Sequence, residues 1–168
     1  MADFERYAPI LKSIEGGYAD HPADKGGPTK AGVTLKVYQY YYGKDKTAQD
    51  LKNMTDEEWS RIMKVYWDEC KGDEIRNQSI ADIVVDWNIN SGLAGRKGVQ
   101  EALGLTVDGA FGPKTLKALN GDPQKCVFCK IRDAREHFFV RLVEKNPSQA
   151  VFLKGWLNRL KRFDFDNV

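Results

Sequence analysis

The chain lacks any apolar run near the roughly 18–20 residues that cross a bilayer, which excludes an integral helical membrane protein. It also lacks a secretion leader: the first twelve residues carry four charges and no uninterrupted apolar stretch, so synthesis in the cytoplasm without a cleaved signal is expected. Cysteine is scarce. Cys70, Cys126 and Cys129 are an odd set, which fits reduced thiols better than a disulfide framework. Histidine is scarcer, with only His21 and His137, so Cys126-x-x-Cys129 has no ready partners for a zinc site and no metal is expected. Strand signals are nearly absent, as are internal repeats and low-complexity tracts. What is present, 168 residues with 42% hydrophobic and 30% charged, suits one globular domain or one domain with two lobes.

Net charge is only +2, but it is unevenly spread. Residues 1–90 hold 12 basic and 16 acidic side chains, net −4, whereas residues 91–168 hold 14 and 8, net +6. A basic half can face a polyanion such as nucleic acid or an acidic polysaccharide. No helix-turn-helix spacing accompanies it, so nucleic acid is not an expected partner.

Hydrophobic spacing reads as helices joined by turn-rich segments. Phe4, Tyr7, Leu11 and Ile14 form one stripe that Gly16-Gly17 ends. Residues 16–34 are a long glycine- and proline-punctuated loop, unusual in a small domain unless it has a job. Thr34 caps a tyrosine-rich helix from Leu35 to Tyr42. Thr55-Asp-Glu-Glu58 is a capping box opening a helix that Gly72 stops, and Ser79 is placed to cap the next, which ends at Ser91-Gly92. A short helix over 93–104, a Val107–Gly112 turn, a helix with Pro113 at its first position, a long helix from Asp122-Pro123 to Lys145 and a last helix bearing Trp156 complete the chain. The fold class is mainly α, with at most a small β-hairpin in the 18–34 loop.

Glu15 stands at the C-terminal edge of the first helix, against two glycines that let another chain approach. The last carbonyls of a helix already present partial negative charge, so a partly buried carboxyl in that position favours its protonated form, as a general acid requires. A solvated glutamate in a fraying turn is the bland alternative. The loop supplies Asp20, Asp24 and the hydroxyls of Thr29 and Thr34. Glycosidic cleavage needs one protonated carboxyl for the leaving oxygen and one ionised group to position water or stabilise the developing cation, a pairing that Glu15 and Asp24 can meet. Cysteine chemistry is less favoured, because Cys70 lies on an apolar helix face with no histidine near it in sequence.

Ile14-Glu-Gly-Gly-Tyr18, Asp24-Lys-Gly-Gly-Pro-Thr29 and Ala31-Gly-Val-Thr34 resemble the N-terminal signature of glycoside hydrolase family 108, lysozyme-like N-acetylmuramidases of which some are labelled secretion activator proteins. Val84-Val-Asp86-Trp-Asn-Ile-Asn90-Ser-Gly92 resembles a second motif of that family. Val107-Asp-Gly-Ala-Phe-Gly-Pro-Lys-Thr115 and Lys154-Gly-Trp-Leu-Asn-Arg159 resemble the peptidoglycan-binding domain that accompanies it. The resemblance implies a lysozyme-like, two-lobed helical fold, with a catalytic lobe over 1–91 and a peptidoglycan-binding lobe over 92–168. It implies hydrolysis of the β-1,4 bond between N-acetylmuramic acid and N-acetylglucosamine in peptidoglycan, without metal or cofactor. Glu15 would be the general acid, Asp24 its ionised partner and Thr29 an assisting hydroxyl, with Thr34 in reserve because Lys30 occupies the position, fifteen after Glu15, where phage-type lysozymes place threonine. Tyr18, Asp86 and Asn90 would contact substrate, although Asp86 and Asn90 also read as satisfied helix-end groups and Arg159 as the anchor of a buried network. The chain would act on the cell wall after release through a holin-type partner. Two alternatives stay open: a lytic transglycosylase, and a non-catalytic peptidoglycan-binding module using aromatics such as Tyr18, Tyr38 or Tyr41.

Overall fold

The stripe of the first helix is buried as its spacing predicts, with Tyr7 and Leu11 wholly closed to solvent. The computed structural model of the chain describes residues 1–20 and 27–165, so Asp24, like His21, lies outside the described residues. In order, the described elements are α1 (Phe4–Glu15), β1 (Tyr18–Ala19), β2 (Thr29–Lys30), β3 (Val33–Thr34), α2 (Leu35–Tyr42), α3 (Ala48–Lys52), α4 (Asp56–Glu69), α5 (Gln78–Ser91), α6 (Leu93–Ala102), α7 (Pro113–Leu119), α8 (Gln124–Lys145) and α9 (Ala150–Leu160). The fold is mainly α. Backbone contacts group it into two units, residues 5–65 and residues 1–4 with 66–168.

Within residues 5–65 the caps are those the side chains dictate. Thr34 Oγ1 accepts from Val37 N and starts α2. Thr55 and Glu58 close the capping box of α4, with Glu58 Oε2 accepting from Thr55 N at 2.9 Å and Thr55 Oγ1 accepting from Glu58 N at 3.2 Å. Thr47 and Asp50 make a second such box and open α3, a helix too short to show a stripe.

In place of a hairpin, this segment holds a three-stranded antiparallel sheet in the order β1-β2-β3, with Tyr18 opposite Lys30, Ala19 opposite Thr29 and Thr29 opposite Thr34. Two-residue strands carry no alternation to read, which is why the pattern stayed hidden. The β2–β3 turn is Ala31-Gly32, with φ of +46° and +82°. Positive φ at both positions is what the favoured two-residue hairpin turn demands, and alanine accepts it reluctantly. Ala31 is pinned from both sides, its N–H donating to Gly17 O at 3.3 Å and its carbonyl accepting from Trp59 Nε1 at 2.9 Å.

In residues 66–168, α8 packs against α5, α6 and α9. The buried set there includes Ile83, Val84, Trp87, Val99, Phe128, Ile131 and Phe139. Asn77, not Ser79, caps α5: its side-chain oxygen accepts from Ile80 N, and the helix begins one residue earlier than Ser79. Both residue types cap well, and the choice was set by the extended backbone at Asn77.

Candidate active site

Glu15 is the last residue of α1 and is half-buried. The chain leaves the helix through Gly16, whose N–H donates to Lys12 O at 3.2 Å, and Gly17 then holds the β2–β3 turn through the bond to Ala31. This brings the turn onto the Glu15 side chain. A Cβ at Gly32 would stand 2.8 Å from the Glu15 carboxyl carbon and 2.9 Å from its Oε2, well inside contact distance. Glycine at 32 is therefore required twice, for its positive φ and for the carboxyl it lets in. The sequence motif Ala31-Gly-Val-Thr34 contained this residue, but spacing alone gave no reason to pair it with Glu15.

The sheet register sorts the candidate residues by face. Residues opposite one another share a face, and neighbours along a strand alternate. Ala19, Thr29 and Thr34 therefore share one face, and Tyr18, Lys30 and the buried Val33 the other. Thr29 and Tyr18 are both half-buried, on opposite faces. Lys30 is already engaged: its Nζ donates to Lys52 O at 2.8 Å and Met54 O at 2.9 Å, satisfying carbonyls at the end of α3. The Lys52 ammonium in turn stands 5.7 Å from the Tyr18 ring centre, and Tyr18 OH donates to Asp20 at 3.4 Å. Thr34 has its oxygen committed to the α2 cap. Of the two threonines, Thr29 is the one without a capping duty.

Aromatic exposure differs from expectation. Tyr38 is buried, its hydroxyl donating to Glu58 at 3.2 Å, and burial followed by that carboxylate pushes the phenol up to about 12. Tyr40, at 83%, and Tyr41, at 38%, are the exposed members of the cluster and stand edge-on to each other. Tyr38 is thus a packing residue and offers no ligand surface.

Asp86 is placed differently from the surface residue expected of a substrate contact. It lies mid-helix in α5 with 0% exposure, and two arginines occupy its carboxylate. Arg135 Nη2 donates to Oδ2 at 2.7 Å, while Arg159 donates through Nε to Oδ2 at 3.0 Å and through Nη2 to Oδ1 at 2.8 Å. Burial alone would raise its affinity for a proton, but the two guanidiniums outweigh that and hold the carboxyl below its ordinary range. A carboxylate so enclosed cannot also meet a sugar. Asn90, four residues on, is half-buried near the end of α5. The residue that sequence reasoning missed here is Asn88, buried between α4 and α6: it donates to Glu69 at 2.8 Å and accepts from Arg96 at 2.7 Å. Cys70 is closed to solvent, and burial pushes its thiol up to about 12, which removes it as a nucleophile. Among the described residues no cluster of three or more His, Cys, Asp or Glu side chains could hold a metal ion.

Residues 8–92 match the family described as Glycosyl hydrolase 108, and residues 95–161 match the Predicted Peptidoglycan domain. The chain belongs to glycosyl hydrolase family 108. It is also similar to a solved structure of Brucella abortus SagA, with 30% identity over 95% of this chain and 90% of that one and a TM-score of 0.80. No curated protein matches it.

Membership makes the chain a glycosidase, and the second match makes peptidoglycan its substrate. The mainly α, lysozyme-like fold agrees with both. Within the peptidoglycan domain, the Val107–Thr115 motif is built around buried Gln100. Its Nε2 donates to Asp108 and to Ala110 O, each at 2.9 Å, while its Oε1 accepts from the backbone N–H of Asp108 and Gly109. Asp108 also accepts from Ala110 N at 2.8 Å. The motif is thus a turn held by an amide, its polar groups spent internally. No described helix is long and apolar enough to cross a membrane.

Proposed function

We propose that this glycosidase is an N-acetylmuramidase that cleaves the β-1,4 bond between N-acetylmuramic acid and N-acetylglucosamine, with Glu15 as the general acid. The observation that carries this reading is the fit of the Glu15 carboxyl against Gly32: a half-buried carboxyl at a helix C-terminus, steadied by a turn that tolerates no Cβ. Such a group protonates the glycosidic oxygen as the bond lengthens. Asp24 supplies the ionised group that positions water or stabilises the oxocarbenium-like transition state, and Thr29 assists. Tyr18 and Asn90 keep the surface access that a substrate contact needs, and Asp86 does not. The net +6 of residues 91–168 draws in murein, whose lactyl and peptide carboxylates make it acidic. A holin-type pore is its release route to the cell wall.

Digestion of purified peptidoglycan, with products identified by mass spectrometry before and after borohydride reduction, tests the reading. Wild type should give reducible muramic acid ends and Glu15→Gln none. Anhydro-muramic ends would make the enzyme a lytic transglycosylase, and reducible glucosamine ends would move the cleaved bond. Free peptides alone would overturn the glycosidic assignment.

A further inference from the structure

Between α5, α6 and α8, within residues 66–168, lies a cavity of about 300 Å³, at the small end of ligand-binding sites. Its floor is apolar. The Trp87 indole lines it without exposed surface, and Phe138 stands edge-on to that ring at 5.6 Å. Gly98 lets α6 approach, because a Cβ there would sit 2.5 Å from the indole. The rim carries both signs of charge: Glu101 on α6, and Arg141 with His137 one turn apart on α8, all three exposed. His137 Nδ1 lies 2.8 Å from Asp133 O, and since a carbonyl only accepts, that nitrogen carries a proton. Neither Glu101 nor Arg141 makes an ion pair within 4 Å among the described residues.

Opposite charges that face one cavity and do not pair with each other define what can enter it. A neutral sugar would leave both partly desolvated without a partner, and it would need an exposed ring face, which Trp87 does not show. A simple anion is opposed by Glu101 and a simple cation by Arg141. A ligand that carries an ammonium and a carboxylate at the end of a short hydrocarbon stem meets all three demands.

We propose that this cavity binds the zwitterionic amino-acid end of a diamino acid in the peptide part of peptidoglycan, with the ammonium on Glu101, the carboxylate on Arg141 and the methylenes over Phe138 and Ala134, above the closed Trp87 indole. The proposal rests on peptidoglycan being the substrate and places its peptide, not its glycan, on α6 and α8. It also gives the site a preference for uncrosslinked peptides, because crosslinking through that amine removes the ammonium.

The test is titration of the full chain with the tetrapeptide L-Ala-γ-D-Glu-meso-diaminopimelate-D-Ala, followed by NMR at the Trp87 indole N–H, which is assigned with Trp87→Phe. The comparison ligand carries L-Lys in place of the diaminopimelate and so lacks the distal carboxylate. The expected result is a saturable shift with the first peptide and binding at least tenfold weaker with the second. Arg141→Gln should erase that difference, and Glu101→Gln should weaken both peptides about tenfold, the loss of one charge-assisted bond. Both variants alter exposed rim residues, and unchanged melting temperatures would confirm intact folds. Equal affinity for the two peptides, no shift at Trp87, or wild-type binding by both variants would overturn the site. Free meso-diaminopimelate binding as tightly as the tetrapeptide would overturn the peptide as its source. Cleavage of peptide-free glycan strands separates this from the catalytic reading: cleavage without peptide binding removes only the site, and binding without cleavage removes only the muramidase.

Discussion

Two carboxyls in the two units have opposite surroundings, although both stand in motifs that resemble the same family. Glu15, in residues 5–65, ends its helix half-exposed, with a glycine turn cleared to receive it. Asp86, in residues 66–168, sits mid-helix with no exposure and two guanidiniums on its oxygens. The contrast teaches that a motif acid is left open to chemistry where backbone makes room for it and does structural work where arginines fill its lone pairs. On the proposed reading Glu15 is a group to be used, while Asp86 is a group held by its arginines.

The largest stability effect should come from breaking the held member. Asp86→Asn leaves Arg135 buried without its counter-charge, and removing one partner of a buried pair costs about 3–5 kcal/mol. Chemical denaturation should show that loss in the folded preparation. The pH dependence follows with a definite sign. The Asp86 carboxyl is depressed in the folded state, so its contribution is fully present above about pH 4, the unfolded carboxylate value, and fades as pH falls through the lower folded value. Acid titration of stability should therefore fall more steeply for wild type than for Asp86→Asn, and parallel curves would remove Asp86 from the account.

Gly32→Ala sharpens the other side. The added methyl meets the Glu15 carboxyl at 2.8 Å and requires a positive φ, costing about 1–3 kcal/mol. Turnover should fall further than the stability loss accounts for, because the acid itself is displaced. Steady-state digestion at a temperature where the variant is fully folded reads this.

Smaller effects separate the two threonines. Thr34→Ala removes the cap of α2 and should cost about 1 kcal/mol with turnover nearly kept, whereas Thr29→Ala should lower turnover with little change in melting temperature. The reverse pattern would exchange their roles.

Much of this was legible in the sequence because helices announce themselves through stripes and caps. The Thr55–Glu58 box, the Thr34 cap and Pro113 at the first position of α7 all stand as their residue types demand. The sheet was not legible, since its strands are two residues long and its pairing depends on an alanine forced into positive φ by Trp59 and Gly17. Of the candidate site, Glu15 was legible from its place at a helix end, but its partner Gly32 lies seventeen residues away and only the turn brings them together. Asp86 read equally as a substrate contact and as a satisfied polar group, and the sequence could not choose for a similar reason: Arg135 and Arg159 reach it from 49 and 73 residues downstream, and no local pattern reports a pair at that separation. Arg159 itself was legible as the anchor of a buried network.

The most direct test of the division between a used and a held carboxyl is turnover of Glu15→Gln and Asp86→Asn on the same peptidoglycan, at a temperature where melting curves show both to be folded. General acid catalysis contributes about 10²–10⁴-fold, so Glu15→Gln should lose at least 100-fold at an unchanged melting temperature. Asp86→Asn should stay within a few-fold of wild type per folded molecule. Near-normal turnover by Glu15→Gln, or a comparable loss in folded Asp86→Asn, would contradict the account.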